Sequence, residues 1–172
     1  LENGATVILL SHLGRPKGEA NPDFTLEPVA KRLSELLEKP VEFIASDKVI
    51  DDEVKEKVKN LPEGSLALLQ NTRYRAEEEK NDPDFSKELA SLGDLYVNDA
   101  FGTSHRAHAS NVGLACNLPS ALGFLVEKEV DSMANMLEDP KRPFVSIMGG
   151  AKVPDKIGVI ENLLDKVDNL II

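Results

Sequence analysis

Residues 95–113 read Leu-Tyr-Val-Asn-Asp-Ala-Phe-Gly-Thr-Ser-His-Arg-Ala-His-Ala-Ser-Asn-Val-Gly. Leu95-Tyr96-Val97 predicts a buried strand, which gives way to a polar loop with one Arg and two His inside four residues. A strand that runs into a loop of donors is how an open α/β sheet builds an anion site. Asn98, Asp99, Thr103 and Ser104 can bond their own backbone and fix the loop's shape, and Gly102 lets it bend. His105, Arg106 and His108 then supply donors and positive charge. Taken alone, the stretch also reads as a polar surface turn with chance histidines. Three other loops of the same character weigh against that.

Working outward, Thr6–Leu10 predicts a strand buried on both faces, and Ser11-His12-Leu13-Gly14-Arg15-Pro16-Lys17-Gly18 comes directly after it. Thr25 is a candidate cap for a helix whose apolar positions are Leu26, Val29, Ala30, Leu33, Leu36 and Leu37, with Pro28 in its first turn. Val41–Ala45 predicts a short strand and Asp51–Lys59 a charged helix with an acidic start and a basic end. Ser65–Leu69 predicts a third strand, followed by Gln70-Asn71-Thr72-Arg73-Tyr74-Arg75. The acidic run Glu77–Asp82 reads as surface, because it lacks the pattern of a calcium loop. Phe85, Leu89 and Leu92 mark a helix face that stops near Gly93.

Beyond Pro119 the spacing predicts a helix over Leu122–Glu138, with Val126, Val130, Met133 and Leu137 as its stripe. Asp139-Pro140-Lys141-Arg142-Pro143 reads as a boundary. Phe144–Met148 predicts another strand, then Gly149-Gly150-Ala151-Lys152-Val153-Pro154-Asp155-Lys156 and a helix containing Ile157, Ile160 and Leu164. Leu170-Ile171-Ile172 reads as a further strand. Strands alternating with helices predict an α/β fold, a parallel β-sheet with helices on both faces in the Rossmann-like manner. Both ends read as cut, Leu1 at one and an apolar strand at the other, which predicts a fragment of a longer protein.

Composition narrows the function. The chain has 172 residues and a formal net charge of -10, from 20 Lys and Arg against 30 Asp and Glu. That excess disfavours nucleic acid as a partner, since a phosphate backbone demands a basic face. No apolar run nears the roughly 20 residues of a membrane helix, and the chain does not open with a charged-then-apolar leader. Cys116 is the only cysteine, so the reading is of a cytoplasmic protein in a reducing compartment. His105 and His108 lack a third soft ligand nearby, so no protein-held metal is predicted.

In a parallel sheet all strand carboxyl ends face one side, so loops 11–18, 70–75 and 98–113 are predicted to converge on one crevice. Their pooled donors are His12, Arg15, Arg73 and Arg106, with His105 and His108 as further candidates. Several charge-assisted bonds at about 1.5–3 kcal/mol each suit a small, multiply charged ligand. Loop 149–156 is of another kind. Its glycines admit a phosphate to the backbone, the next helix points free N–H groups at it, and Lys152 and Lys156 share one face. A plain glycine turn before a surface helix is the other reading of that loop.

The same residues resemble the phosphoglycerate kinase family. The resemblance rests on 11–18, on Asn-Thr-Arg-Tyr-Arg-Ala-Glu-Glu-Glu (71–79), on Val-Asn-Asp-Ala-Phe-Gly-Thr-Ser-His-Arg-Ala-His (97–108), on Gly-Phe-Leu-Val-Glu-Lys-Glu (123–129) and on 149–156. It implies a truncated two-domain kinase fold: 1–121 as a phosphoglycerate-binding domain without its first strand, 122–138 as the interdomain helix, 139–172 as the start of a nucleotide-binding domain. It implies His12, Leu13, Gly14, Arg15, Arg73 and Arg106 as ligands of 3-phosphoglycerate and 1,3-bisphosphoglycerate. It implies Gly149, Gly150, Lys152 and Lys156 at ATP or ADP, with Lys152 catalytic and Mg2+ carried by the nucleotide. It further implies a parent protein that is a monomer with no nucleic-acid or membrane partner. The family's opening Arg-x-Asp-x-Asn segment and most of its nucleotide domain have no counterpart here, and Pro154 stands where a small or polar residue is common. The alternative is a catalytically inactive fragment that only binds phosphoglycerate-like anions.

Overall fold

The structure is a computed structural model that describes residues 1–149 and 157–172. Two compact units divide it, Leu1–Gly123 and Phe124–Ile172.

The first unit is built around β3 (Leu66–Leu69), whose four residues are all buried. Burying each Leu side chain contributes about 1.5–3 kcal/mol. The strand is buried because it has a parallel neighbour on each side, β1 (Val7–Leu9) and β2 (Glu42–Ile44), in the order β1-β3-β2. β1 is an edge strand, so its three residues are only half-buried, not closed in on both faces as the apolar run predicts. Crossovers between parallel strands need helices, and α1 (Glu27–Leu37) and α2 (Asp52–Lys59) supply them. Asp51 caps α2 by accepting the Val54 N–H at 2.9 Å. Thr25 helps start α1, its hydroxyl accepting the Glu27 N–H at 3.3 Å.

After β3 come α3 (Ala76–Glu79) and α4 (Pro83–Ala90). Asp82 caps α4 through the N–H groups of Asp84 and Phe85, at 3.0 and 2.9 Å. Phe85 and Leu89 then enter the core with Ile44, Val54, Leu69 and Leu114. β4 (Tyr96–Asn98) pairs in parallel with β5 (Ser120–Leu122), reached through α5 (Leu114–Asn117).

Three further expectations fail here. Leu95-Tyr96-Val97 is not a buried strand: β4 starts at Tyr96, and Leu95 and Val97 are exposed. Leu122 does not open a helix: it belongs to β5, and α6 (Phe124–Glu138) starts two residues later. The acidic run is not all surface either, because Glu78 is 2% exposed. The parallel strands with covering helices are as the alternation predicts, but they form separate ladders of three and two strands in this unit.

The second unit holds α6, β6 (Val145–Ile147), α7 (Ile157–Leu164) and β7 (Asn169–Ile171), with β6 and β7 parallel. Asp168 closes the entry to β6, accepting the Phe144 N–H at 2.6 Å and pairing with Arg142 Nη1 at 3.1 Å. Gly150, Lys152, Pro154 and Lys156 lie outside the described residues. Gly149 is exposed, and no atom among the described residues lies within 4 Å of where its Cβ would stand.

Candidate anion-binding site

Two loops leave the carboxyl ends of β1 and β3 and are stitched to each other by buried amides. Asn71 is 0% exposed. Its Nδ2 donates to the carbonyls of Leu13 and Phe24 at 2.8 and 2.9 Å, and its Oδ1 accepts the Arg73 N–H at 3.1 Å. The Gln70 Oε1 accepts from the N–H groups of Leu26 and Asn71 at 3.1 and 2.8 Å, while its Nε2 donates to Thr25 at 3.0 Å. Backbone bonds from Thr72 N to Ser11 O and from Gly18 N to Arg73 O complete the seam. Gly14 sits at φ +63 over the Phe24 ring, where a Cβ would lie 2.4 Å from Cε1. Only glycine fits both the backbone angle and that close approach.

Arg73 is the buried cation of the seam, its side chain 8% exposed. Its Nη1 donates to Gly14 O at 3.0 Å, and its Nε faces Glu79 Oε1 at 3.5 Å. Arg75, two residues on, is committed elsewhere. It forks onto Glu77 at 2.9 and 3.1 Å, donates to Lys48 O, and lies 4.9 Å over the Phe85 ring centroid. The Arg75 guanidinium holds the Glu77 carboxyl down at about 2.

The third loop comes after β4. Asn98 Nδ2 donates to Asn111 Oδ1 at 2.6 Å, and Asn111 Nδ2 bonds the carbonyls of Thr103 and Arg106 at 3.1 and 3.0 Å. Asn111 thus holds the turn that presents Arg106, which is exposed. Glu78 reaches across from α3, accepting both the Ser110 N–H, at 3.0 Å, and the Ser110 hydroxyl. Its Oε1 lies 3.7 Å from Nδ1 of His108, which is buried.

Charges from the loops after β3 and β4 act on His12. Burial lowers its pKa below 6.5, and the charges of Arg73, His108 and Arg106 lower it further, with Glu79 opposing. Arg73, Arg106 and His108 are therefore within electrostatic reach of His12. Arg15 and His105 are exposed and are not among the charges acting on His12. Leu13 and Gly14 face the seam with their carbonyls, which Asn71 and Arg73 occupy. Asn71, Gln70, Asn111 and Glu78 are the members that sequence reasoning missed. Among the described residues no three His, Cys, Asp or Glu side chains gather to hold a metal ion, and no helix is long and apolar enough to cross a membrane.

The described residues form a parallel α/β unit in which the loops after β3 and β4 carry charges that act on one histidine of the loop after β1. The family model for phosphoglycerate kinase matches residues 1–172, and the chain belongs to that family. It is 65% identical over 172 residues to a phosphoglycerate kinase of Finegoldia magna, covering 100% of this chain and 44% of the relative. It is 60% identical over 173 residues to one of Clostridium kluyveri, again covering 100% and 44%. Among solved structures, phosphoglycerate kinase from Coxiella burnetii matches with a TM-score of 0.83 at 40% identity, over 98% of this chain and 42% of that one. The chain spans less than half the length of the curated relatives it matches.

Proposed function

We propose that the first unit is the phosphoglycerate-binding half of a phosphoglycerate kinase, which moves a phosphoryl group reversibly between 1,3-bisphosphoglycerate and ADP to give 3-phosphoglycerate and ATP. The observation that carries this is that loops succeeding three parallel strands are tied together, Arg73 to Gly14 O and Asn71 to Leu13 O on one side, Glu78 to Ser110 and His108 on the other, with the charges of Arg73, Arg106 and His108 acting on His12. Arg106 and Arg15 supply exposed guanidinium forks, which match phosphate and carboxylate bidentately. Arg73 adds buried charge from below. Leu13 and Gly14 fix the first loop through their carbonyls, which Asn71 and Arg73 occupy. Phosphoryl transfer demands positioning and charge neutralisation more than covalent help, and a loop held by buried amides is already in place when the ligand arrives.

In this reading residues 1–123 form the substrate domain, α6 (Phe124–Glu138) the interdomain helix and 139–172 the start of the nucleotide domain. Gly149, Gly150, Lys152 and Lys156 meet the nucleotide, with Lys152 at the transferring group. Mg-ATP or Mg-ADP supplies the phosphoryl donor or acceptor, the ion riding on its phosphates. The parent is a cytoplasmic monomer acting on small molecules, without nucleic-acid or membrane partners. In the full-length enzyme Arg73→Ala raises the KM for 3-phosphoglycerate strongly; an unchanged KM removes Arg73 from the site.

A second reading has its own support, the 44% coverage of the relatives. On it, the 172 residues alone bind 3-phosphoglycerate weakly and do not turn over. A coupled assay of ADP formation separates the two, since turnover near that of a whole enzyme rejects the binding-only view.

A further inference from the structure

We infer that Glu79 is a displaceable counter-anion of the site: it rests against Arg73 when no ligand is bound, weakens anion binding, and weakens it more for ligands of higher charge. The inference rests on the anion-site reading above and concerns a residue that reading does not use. The Arg73 side chain is only 8% exposed. Its Nε has no hydrogen-bond partner among the described residues. The carboxylate facing that Nε stands at 3.5 Å and is itself 51% exposed. A carboxylate that served to fix the guanidinium would close to about 2.7–2.9 Å.

Arg73 does not need Glu79 to stay in place. Its Nη1 is tied to Gly14 O, its N–H to Asn71 Oδ1 and its carbonyl to Gly18 N. Glu79 also acts on His12, with sign opposite to that of Arg73, Arg106 and His108. It therefore stands at the cationic cluster as its one opposing charge among those acting on His12. Every anion that enters meets this carboxylate, and repulsion grows with the ligand's own charge. Half-exposure lets the side chain swing into water when the ligand takes its place.

The test tracks the His12 ring by NMR while the full chain is titrated with 3-phosphoglycerate and, separately, with glycerate. With Glu79→Gln, 3-phosphoglycerate should bind about three- to tenfold tighter, the size of one unit charge acting through a half-exposed site. Glycerate should gain less. Glu79→Asp keeps the charge and should bind as wild type does, and thermal midpoints should not move. Equal gains for both ligands, no gain, a loss of affinity, or tightening by Asp as much as by Gln overturns the inference. A wild-type His12 ring that ignores saturating 3-phosphoglycerate overturns the site reading itself, and this inference with it.

Discussion

Replacing Asn71 should damage stability and site together, because one side chain ties both loops. Asn71→Ala removes three hydrogen bonds, to Leu13 O, Phe24 O and Arg73 N. At about 0.5–1.5 kcal/mol net for each, and more where a buried group is left unpaired, the loss is about 2–4 kcal/mol. With a urea m-value of about 2 kcal/mol/M, the midpoint should fall by roughly 1–2 M. Asn71→Asp keeps the shape but sets a carboxylate oxygen against two carbonyl oxygens, so it should destabilise more than alanine does. The chain has two Tyr and no Trp, and Tyr74 and Tyr96 both lie in the first unit, so tyrosine near-ultraviolet circular dichroism reports on that unit alone. An alanine variant within about 1 kcal/mol of wild type, or an aspartate variant milder than alanine, would falsify the assignment of these bonds as the seam's anchor.

The charges set two further outcomes. The His12 ring should titrate below 6.5, since burial and then Arg73, His108 and Arg106 disfavour its protonated form. The unfolded chain then takes up the proton more readily, so this group's contribution to stability falls as pH drops from 6.5 through the folded value. A bound phosphate reverses the field, and saturating 3-phosphoglycerate should move the NMR midpoint upward; a midpoint at or above 6.5 without ligand contradicts the geometry. Glu77, held at about 2 against 4.5, contributes stability that is whole above pH 4.5 and is lost as pH falls toward about 2. The side chains of the Arg75–Glu77 pair are 27% and 39% exposed, so Glu77→Gln should cost below about 1 kcal/mol at neutral pH. Thermal midpoints of variant and wild type should converge in acid, and curves that stay parallel rule out the pair as their cause.

Those elements that local chemistry dictates were legible in the sequence. The helix opening at Asp51 was readable from its acidic start, because a cap acts within three residues, and the apolar run ending at Leu69 was readable as a strand; that this strand and not β1 is the buried one was not, because it depends on having a neighbour on each side. The cationic members of the site were legible for the same reason, as His and Arg just past strand ends. The hidden features depend on partners distant in sequence. β5 is three exposed residues with no alternation, and it exists through its ladder to β4. Glu78 sits among three glutamates, and Ser110, 32 residues away, together with His108 distinguishes it from its neighbours. The amide of Asn71 finds its partners 47 and 58 residues away. Arg75 reads from sequence as equal to Arg73, yet Glu77 and Phe85 hold it out of the site.

This division between visible cations and hidden amides bears on how a chain of net charge -10 would bind an anion under the proposed function. At about 0.15 M salt the Debye length is about 8 Å, so distant carboxylates neither help nor hinder. The decisive matter is which cations stand close together without a carboxylate forked onto them at hydrogen-bond distance; Glu79 faces Arg73 only at 3.5 Å. Glu77 removes Arg75 from that set, and Glu78 anchors the segment beyond Arg106 through Ser110, not through Arg106 itself. Asn71 and Asn111 then fix the backbone with neutral groups, which hold the loops in place without adding a charge for the ligand to overcome. Had aspartates performed those two jobs, the loops could be as rigid, but the field at His12 would be weaker by two negative charges. The neutral amides are therefore part of the electrostatics of the site.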